Sequence, residues 1–361
     1  MKILQVINYI RVGGAERLIS DLIPLLSKKH HVELLVLKKN EDIVFTQKLQ
    51  DAGIKIHCLD AGSLYNPLII LRIRRFLKAH PEFYIIHVHL FPSLYWVALA
   101  SIGLNRKLVW TEHSTSNSRR EKPILRPLER MIYSLYDRII CISEATRQAI
   151  MAWIKAKEGD KRFCVIENGI ELKNFRKIPS AKQYPHTLIQ VSRFVEGKDQ
   201  DTVIGAMPLL PDDVHLLLVG DGVRLEECKS LAERLGLHER VHFLGARSDI
   251  AQLLSMSNIA IQSSHWEGFG LTAVEAMANG LPVIASDVEG LKQVVEGVGL
   301  LFPHGDAEIL AQEIERLLAD SSYYNEVSKR CLAHAEKYDI CVMAEKYMKV
   351  YDSLLQGTNI R

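Results

Sequence analysis

The sequence predicts an α/β protein of two domains, each a parallel sheet covered by helices on both faces. Three observations predict it. Short apolar runs rich in β-favouring residues alternate with segments of helix length along the whole chain. Most of these runs are hydrophobic on both faces, as in strands buried between two helix layers. Finally, 361 residues are too many for one ordinary core. A stretch at 173–185 with two prolines, four Lys/Arg and little periodicity reads as the linker. The expected domains are therefore 1–172 and 186–338.

In the first half the expected strands are 3–8, 32–37, 54–59, 84–89, 108–111, 138–142 and 164–166. After the first comes Val12-Gly13-Gly14-Ala15-Glu16-Arg17, where glycines allow close approach of backbone to a ligand. It is not G-x-G-x-x-G, because Arg17 stands where a third glycine belongs, and a tight turn explains it equally well. A helix is expected over 67–79, with Ile69, Ile73, Phe76 and Leu77 as its apolar stripe and Pro81 as its stop. His87 and His89 share one face of a strand. No third ligand accompanies them, so a metal pair is the weaker reading.

His113 follows the strand at 108–111, where ligands of open α/β sheets gather. It is a candidate site residue or an ordinary loop histidine. The basic stretch from Arg119 and Arg120 through Arg126 to Arg130 leads into a helix with Leu128, Met131, Ile132 and Leu135 as its apolar face. Such a segment suits either a membrane surface or a solvated basic face. Residues 1–172 carry nine excess positive charges and 173–361 seven excess negative ones. The basic half suits an anionic membrane or acceptor, or is only a solvated surface.

The second half has expected strands at 187–191, 215–219, 241–244, 258–262, 282–285 and 299–302. Helices over 225–235 and 308–318 carry plain core stripes. Four successive strand ends are polar or glycine-rich. The first carries Arg193 and Lys198, the second Gly220-Asp221-Gly222, the third Gly245-Ala246-Arg247. The fourth runs Ser263-Ser264-His265-Trp266-Glu267-Gly268-Phe269-Gly270-Leu271 into a helix containing Glu275. A helix start after a glycine-bearing loop attracts an anion, because its first N–H groups are unpaired and its dipole is positive there. Two carboxylates in the same stretch cannot bind that anion, and hydroxyls are their natural partners. Phosphates and hydroxyls on one molecule describe a nucleotide or a sugar phosphate.

The six cysteines are scattered without C-x-x-C, as in a reducing compartment. The first residues read as a strand and not a signal peptide. No apolar run reaches the roughly 18 residues of a membrane span. A cytoplasmic protein is expected.

This constellation resembles the retaining glycosyltransferases of family 4. The resemblance rests on Gly13-Gly14-Ala15-Glu16-Arg17, Ser192-Arg193 with Lys198, Gly220-Asp221-Gly222, the Glu267–Glu275 pair around Gly268-Phe269-Gly270-Leu271, and Gly280-x-Pro282-Val283-Ile284-Ala285-Ser286. After Ser286 the chain departs from the family's usual Gly-Gly-x-x-Glu. The resemblance implies a GT-B fold, with two Rossmann-like domains facing across a cleft and a last helix, 339–356, crossing back to the N-terminal domain. It implies transfer of a sugar from a nucleotide-diphosphate sugar, UDP being the commoner carrier, to a glycan or lipid-linked glycan hydroxyl, as in surface polysaccharide assembly. The enzyme would lie in the cytoplasm or peripherally on the inner membrane face.

On this reading Glu275 holds the ribose and Glu267 the donor sugar. Gly268 and the N–H groups around Phe269, Gly270 and Leu271 meet the diphosphate or the sugar. Arg193 and Lys198 neutralise the diphosphate in place of a metal. Gly13 and Gly14 approach from the other domain, His113 lies beside the reacting sugar, and Gly245 to Arg247 border the base. No metal, cofactor or nucleic acid is implied. Three other readings use the same residues: a glycosidase with two carboxylates, an epimerase acting on nucleotide sugar without acceptor, and a silent nucleotide-sugar-binding module.

Overall fold

The computed structural model describes residues 2–10, 14–39, 43–60, 62–115, 117 and 119–356. The chain divides into two compact units, Met1–Gly169 with Ile340–Arg361, and Ile170–Asp339.

Among the described residues, unit 1 holds seven strands: β1 (Lys2–Ile7), β2 (His31–Val36), β3 (Ile56–Cys58), β4 (Phe83–His89), β5 (Lys107–Glu112), β6 (Arg138–Cys141) and β7 (Phe163–Val165). They pair in the order β3-β2-β1-β4-β5-β6-β7, all parallel. The helices are α1 (Gly14–Ser27), α2 (Ile43–Asp51), α3 (Ile69–Ala79), α4 (Ser93–Ser101), α5 (Arg126–Ser134) and α6 (Glu144–Ile154). Strand alternation divides the core in two. Leu4, Val6, Ile86, Val88, Leu108 and Trp110 join one buried cluster with Ile73, Val97 and Ile132. Ile3, Ile7, Ile85 and Val109 join the other, with Leu22 of α1 and Tyr347 and Tyr351 of the final helix, Ile340–Gln356. That last helix therefore completes the core of unit 1, as the family resemblance implies.

The expected apolar face of α5 is corrected. Ile132 and Tyr133 are buried together with Glu129, while Leu128 and Met131 are exposed. The reason is Glu129. It is fully buried and accepts from Tyr95 Oη (2.6 Å), Arg119 Nε (2.7 Å) and Trp153 Nε1 (2.5 Å). A buried carboxylate needs such partners, and meeting them rotates the helix. The basic stretch is likewise turned partly inward. Arg119 also covers Phe91 at 4.1 Å, Arg120 pairs with buried Glu112 at 3.2 Å, and Arg126 lies over Trp153 at 4.8 Å.

Unit 2 holds β8 (His186–Val191), β9 (Val214–Val219), β10 (Val241–Phe243), β11 (Ile259–Gln262), β12 (Val283–Ser286) and β13 (Leu300–Phe302), in the parallel order β10-β9-β8-β11-β12-β13. Its helices are α7 (Gln200–Ala206), α8 (Leu225–Arg234), α9 (Ile250–Met256), α10 (Leu271–Ala278), α11 (Lys292–Val295), α12 (Ala307–Ala319) and α13 (Ser321–Ala335). The stretch 173–185 expected as a linker belongs to this unit. Asn279 Nδ2 donates to Phe175 O (3.0 Å), and Ile178 N donates to Ser255 Oγ (3.0 Å). Phe175 is buried, and that apolar anchor is what periodicity could not show. Both sheets reverse strand order once, at β1/β4 and at β8/β11. Ligands of open sheets bind at such switch points, beyond the strands' carboxyl ends.

Candidate functional site

At the β8/β11 switch of unit 2 the expected residues come together. Lys198 Nζ forms an ion pair with Glu267 Oε2 and donates to Ser264 Oγ at 3.3 Å. The other carboxylate oxygen of Glu267 accepts Gly268 N–H at 3.1 Å. The two residues assigned above to different parts of a ligand thus hold each other. A strand-like pairing brings them there. Segment 197–199 runs antiparallel to 263–265, with His265 N donating to Gly197 O (3.2 Å) and Asp199 N to Ser263 O (3.3 Å). Arg193 is exposed, and its guanidinium has no hydrogen bond or ion pair among the described residues. It is an uncompensated cation at the end of the same strand.

Gly220 is required by packing. A Cβ there would lie 2.0 Å from Ser192 O, so the β9 loop can support the Arg193 segment only as glycine. Ser192 N donates to Val219 O (2.9 Å) and Phe194 N to Asp221 O (2.9 Å) across that contact. The third strand end joins through Gly220 N, which donates to Gly245 O at 2.9 Å. Arg247 is exposed and forms a bidentate pair with Asp249 (2.8 and 2.6 Å).

Glu275 lies on α10 and is buried, with 3% exposure. Gly270 precedes that helix, Leu271 begins it, and Ala273 N already donates to Gly270 O at 3.0 Å. The Phe269 ring is buried against Tyr338, centroids 5.4 Å apart, so only its backbone is available to a ligand. Its side chain anchors the loop.

Several residues of this site carried no clear signal in the sequence. Asp199 caps α7 through Thr202 N (3.2 Å) and accepts Ser263 Oγ (2.8 Å). Ser286, at the end of β12, accepts Ser264 N and donates to Ser264 O, both at 3.0 Å. Trp266 is 53% exposed and lies over Gly197. Gly290 stands where the chain departs from the family pattern. It has φ 62°, and a Cβ there would lie 2.3 Å from Glu267 O.

In unit 1, Gly14 opens α1, while Gly13 lies outside the described residues. His113 follows β5, with Nε2 3.1 Å from His89 Nδ1. Behind it runs a buried polar chain. His89 Nε2 meets Gln5 Oε1 (2.8 Å), and Gln5 Nε2 donates to Tyr351 Oη (3.0 Å). Tyr351 Oη also meets His87 Nδ1 (2.6 Å), and His87 Nε2 meets Thr111 Oγ1 (2.7 Å). Both ring nitrogens of His87 and of His89 thus have protein partners, which leaves them no lone pair for a metal. Burial holds His87 and His89 well below the usual histidine range and pushes His113 down to about 4.

Comparison with known proteins identifies the family and the fold. The family "Glycosyltransferase Family 4" matches residues 12–174, and "Glycosyl transferases group 1" matches residues 172–334. A phosphatidyl-myo-inositol mannosyltransferase of Mycobacterium leprae is 26% identical over 361 residues, covering 95% of this chain and 93% of that one. An N,N'-diacetylbacillosaminyl-diphospho-undecaprenol alpha-1,3-N-acetylgalactosaminyltransferase of Campylobacter jejuni is 25% identical, over 89% and 94%. Among solved structures, Anabaena HepE in complex with UDP and glucose superposes with a TM-score of 0.84 at 23% identity, covering 98% of this chain and 100% of that one. The two family matches together run from residue 12 to residue 334, over both Rossmann-like units, and the chain belongs to the family 4 glycosyltransferases of the GT-B fold.

Proposed function

We propose that this glycosyltransferase moves a hexosyl residue, with retained anomeric configuration, from a UDP-sugar to a hydroxyl of a lipid-linked glycan in surface polysaccharide assembly. The observation that carries the proposal is what the strand ends at the β8/β11 switch present: an exposed Arg193 after β8 without a side-chain partner among the described residues, the Lys198–Glu267 ion pair, and Glu275 on the helix that follows. Arg193 and Lys198 supply positive charge for a diphosphate, so the reading calls for no metal at that charge. A carboxylate such as Glu275 accepts from two ribose hydroxyls at once. Donor arrival would give Lys198 a second anion and free Glu267 to accept from a sugar hydroxyl.

In the reaction the bond from the anomeric carbon to the diphosphate oxygen breaks, and a bond to the acceptor oxygen forms on the same face. The acceptor's proton passes to the leaving diphosphate, so no dedicated base is needed. The transition state is oxocarbenium-like, and negative charge grows on the diphosphate. Cations and N–H groups aimed at that charge contribute on the order of 3 kcal/mol per good donor. In unit 1, His113 is the proposed contributor. As a neutral imidazole it offers a hydrogen bond and no charge.

UDP is favoured because the HepE structures hold UDP or UDP-glucose. A lipid-linked acceptor is favoured because the Mycobacterium and Campylobacter relatives are named for phosphatidyl-inositol and diphospho-undecaprenol substrates. No helix among the described residues is long and apolar enough to cross a membrane. Peripheral docking on a cytoplasmic membrane face is supported by Ile124, 86% exposed, with exposed Leu128, Met131, Lys122 and Arg130 around it. A thermal-shift panel of nucleotide sugars tests the donor, since a ligand of the native state raises its melting point. UDP-hexoses are expected to stabilise and GDP-sugars not to. Product anomers read by proton NMR test retention, and an inverted anomer would end that part of the proposal.

A further inference from the structure

We propose that Asp199, His265 and His304 form a binding site for one first-row divalent transition-metal ion, Zn2+ being the natural occupant. One ligand atom from each of the three lies within 4.8 Å of the other two. His265 Nδ1 and His304 Nε2 face each other in direct contact, 2.5 Å apart. The two ring nitrogens therefore converge on one point. Zn–N bonds of about 2.0–2.1 Å at a tetrahedral angle place the nitrogens roughly 3.3 Å apart. A small rotation of the exposed His304 ring provides that spacing.

The backbone presents these groups from three strand ends. Asp199 follows β8 and His265 follows β11. They are held in register by the 197–199 and 263–265 pairing, with its bonds from His265 N to Gly197 O and from Asp199 N to Ser263 O. His304 follows β13, in a turn closed by Asp306 N donating to Pro303 O at 3.0 Å. The buried Asp199 carboxylate is oriented from behind by Thr202 N and Ser263 Oγ, and each oxygen keeps a lone pair for an ion. Such outer partners fix a ligating carboxylate in productive metal sites. Two imidazoles with one carboxylate suit zinc or its neighbours and not Mg2+, which prefers oxygen alone. Three protein ligands leave a fourth position for water or a ligand atom.

Asp199 adjoins Lys198, and His265 is two residues before Glu267. An ion here ties together the two segments that carry that pair. The proposal concerns binding alone and holds or fails independently of the transferase reading, so the two failures are distinguishable.

The test uses the full-length chain without a histidine tag, stripped with a chelator. Zn2+ is titrated by calorimetry, and Co2+ serves as a spectroscopic probe, because four-coordinate cobalt absorbs strongly in the visible. One equivalent is expected to bind. His304→Ala and His265→Ala are each expected to weaken binding by about 30-fold or more, with the cobalt bands lost. His304→Cys should keep both. Millimolar Mg2+ should not compete. Absence of stoichiometric binding overturns the proposal. So does unchanged affinity in His304→Ala, which would place the ion among the chain's other histidines, 14 in all. The His304 ring is exposed, so its replacement leaves the fold intact, and circular dichroism checks this.

Discussion

Glu267 and Lys198 form one unit, and that changes what their loss should do. Removing Lys198 leaves a partly buried carboxylate without its cation. Removing Glu267 releases a lysine toward the site. Lys198→Ala is thus expected to lower both stability and turnover, while Glu267→Gln lowers turnover with less effect on stability. Unfolding midpoints and kcat for the two variants check this. The buried histidines make a pH prediction. Their folded pKa lies below the unfolded value, so the unfolded chain takes up protons that the folded chain refuses. Stability is full above about pH 6.5 and falls as pH drops toward 4, each of the three histidines adding to the loss. The protection factors of β4 and β5 amides, which divide out the intrinsic slowing of exchange in acid, should fall over that window, and pH-independent protection would contradict the assignment. At this scale the residue types were legible in the sequence. The Lys198–Glu267 pairing was not, because it joins positions 69 residues apart.

Among elements, all thirteen described strands lie where alternation and β-rich runs put them, within a residue or two at most ends. Parallel strands buried on both faces announce themselves by composition. The α5 face did not. Its apolar residues follow helical spacing, yet Glu129 is the fully buried position, because partners on α4, on α6 and in the 119–120 loop satisfy its charge. Periodicity counts apolar residues and cannot see a partner that arrives from elsewhere in the chain. The loop before α10 shows the same limit. Gly290 lies in the stretch after Ser286 where the chain departs from the family pattern, and it passes against the Glu267 carbonyl of that loop. Gly290→Ala meets both a positive φ and backbone at 2.3 Å. It should cost about 2–3 kcal/mol, or roughly 5–10 °C in Tm for a unit of this size. An unchanged melting point would show that the loop has room to shift.

Across the whole molecule, the final helix is the feature that ties chain order to structure. Tyr347 and Tyr351 fill the core of unit 1 and satisfy Gln5, His87 and Thr111, so the last residues of the fold complete the first sheet. The family resemblance implied that return, and local pattern alone did not. The charge asymmetry is also sharper in three dimensions. Arg119 and Arg120 serve buried glutamates, which leaves a smaller surface of exposed Ile124, Leu128 and Met131 with Lys122 and Arg130. Ile124→Glu with Leu128→Glu should weaken binding to vesicles of anionic phospholipid by about tenfold or more at low salt. Wild-type chain that ignores such vesicles would remove the membrane from the account. The three clustered ligands Asp199, His265 and His304 were hidden by a separation of more than a hundred residues, which is why the sequence pointed to no metal.

The central claim is that the strand ends of unit 2 hold a nucleotide diphosphate-sugar and stabilise its leaving group. The most direct test is the turnover of Arg193→Ala with UDP-sugar donor and glycan acceptor, measured on protein whose melting point matches wild type. The Arg193 side chain has no hydrogen-bond or ion-pair partner among the described residues, so its removal should leave the fold alone and cut kcat by about a hundredfold or more. Wild-type turnover in that variant would contradict the account.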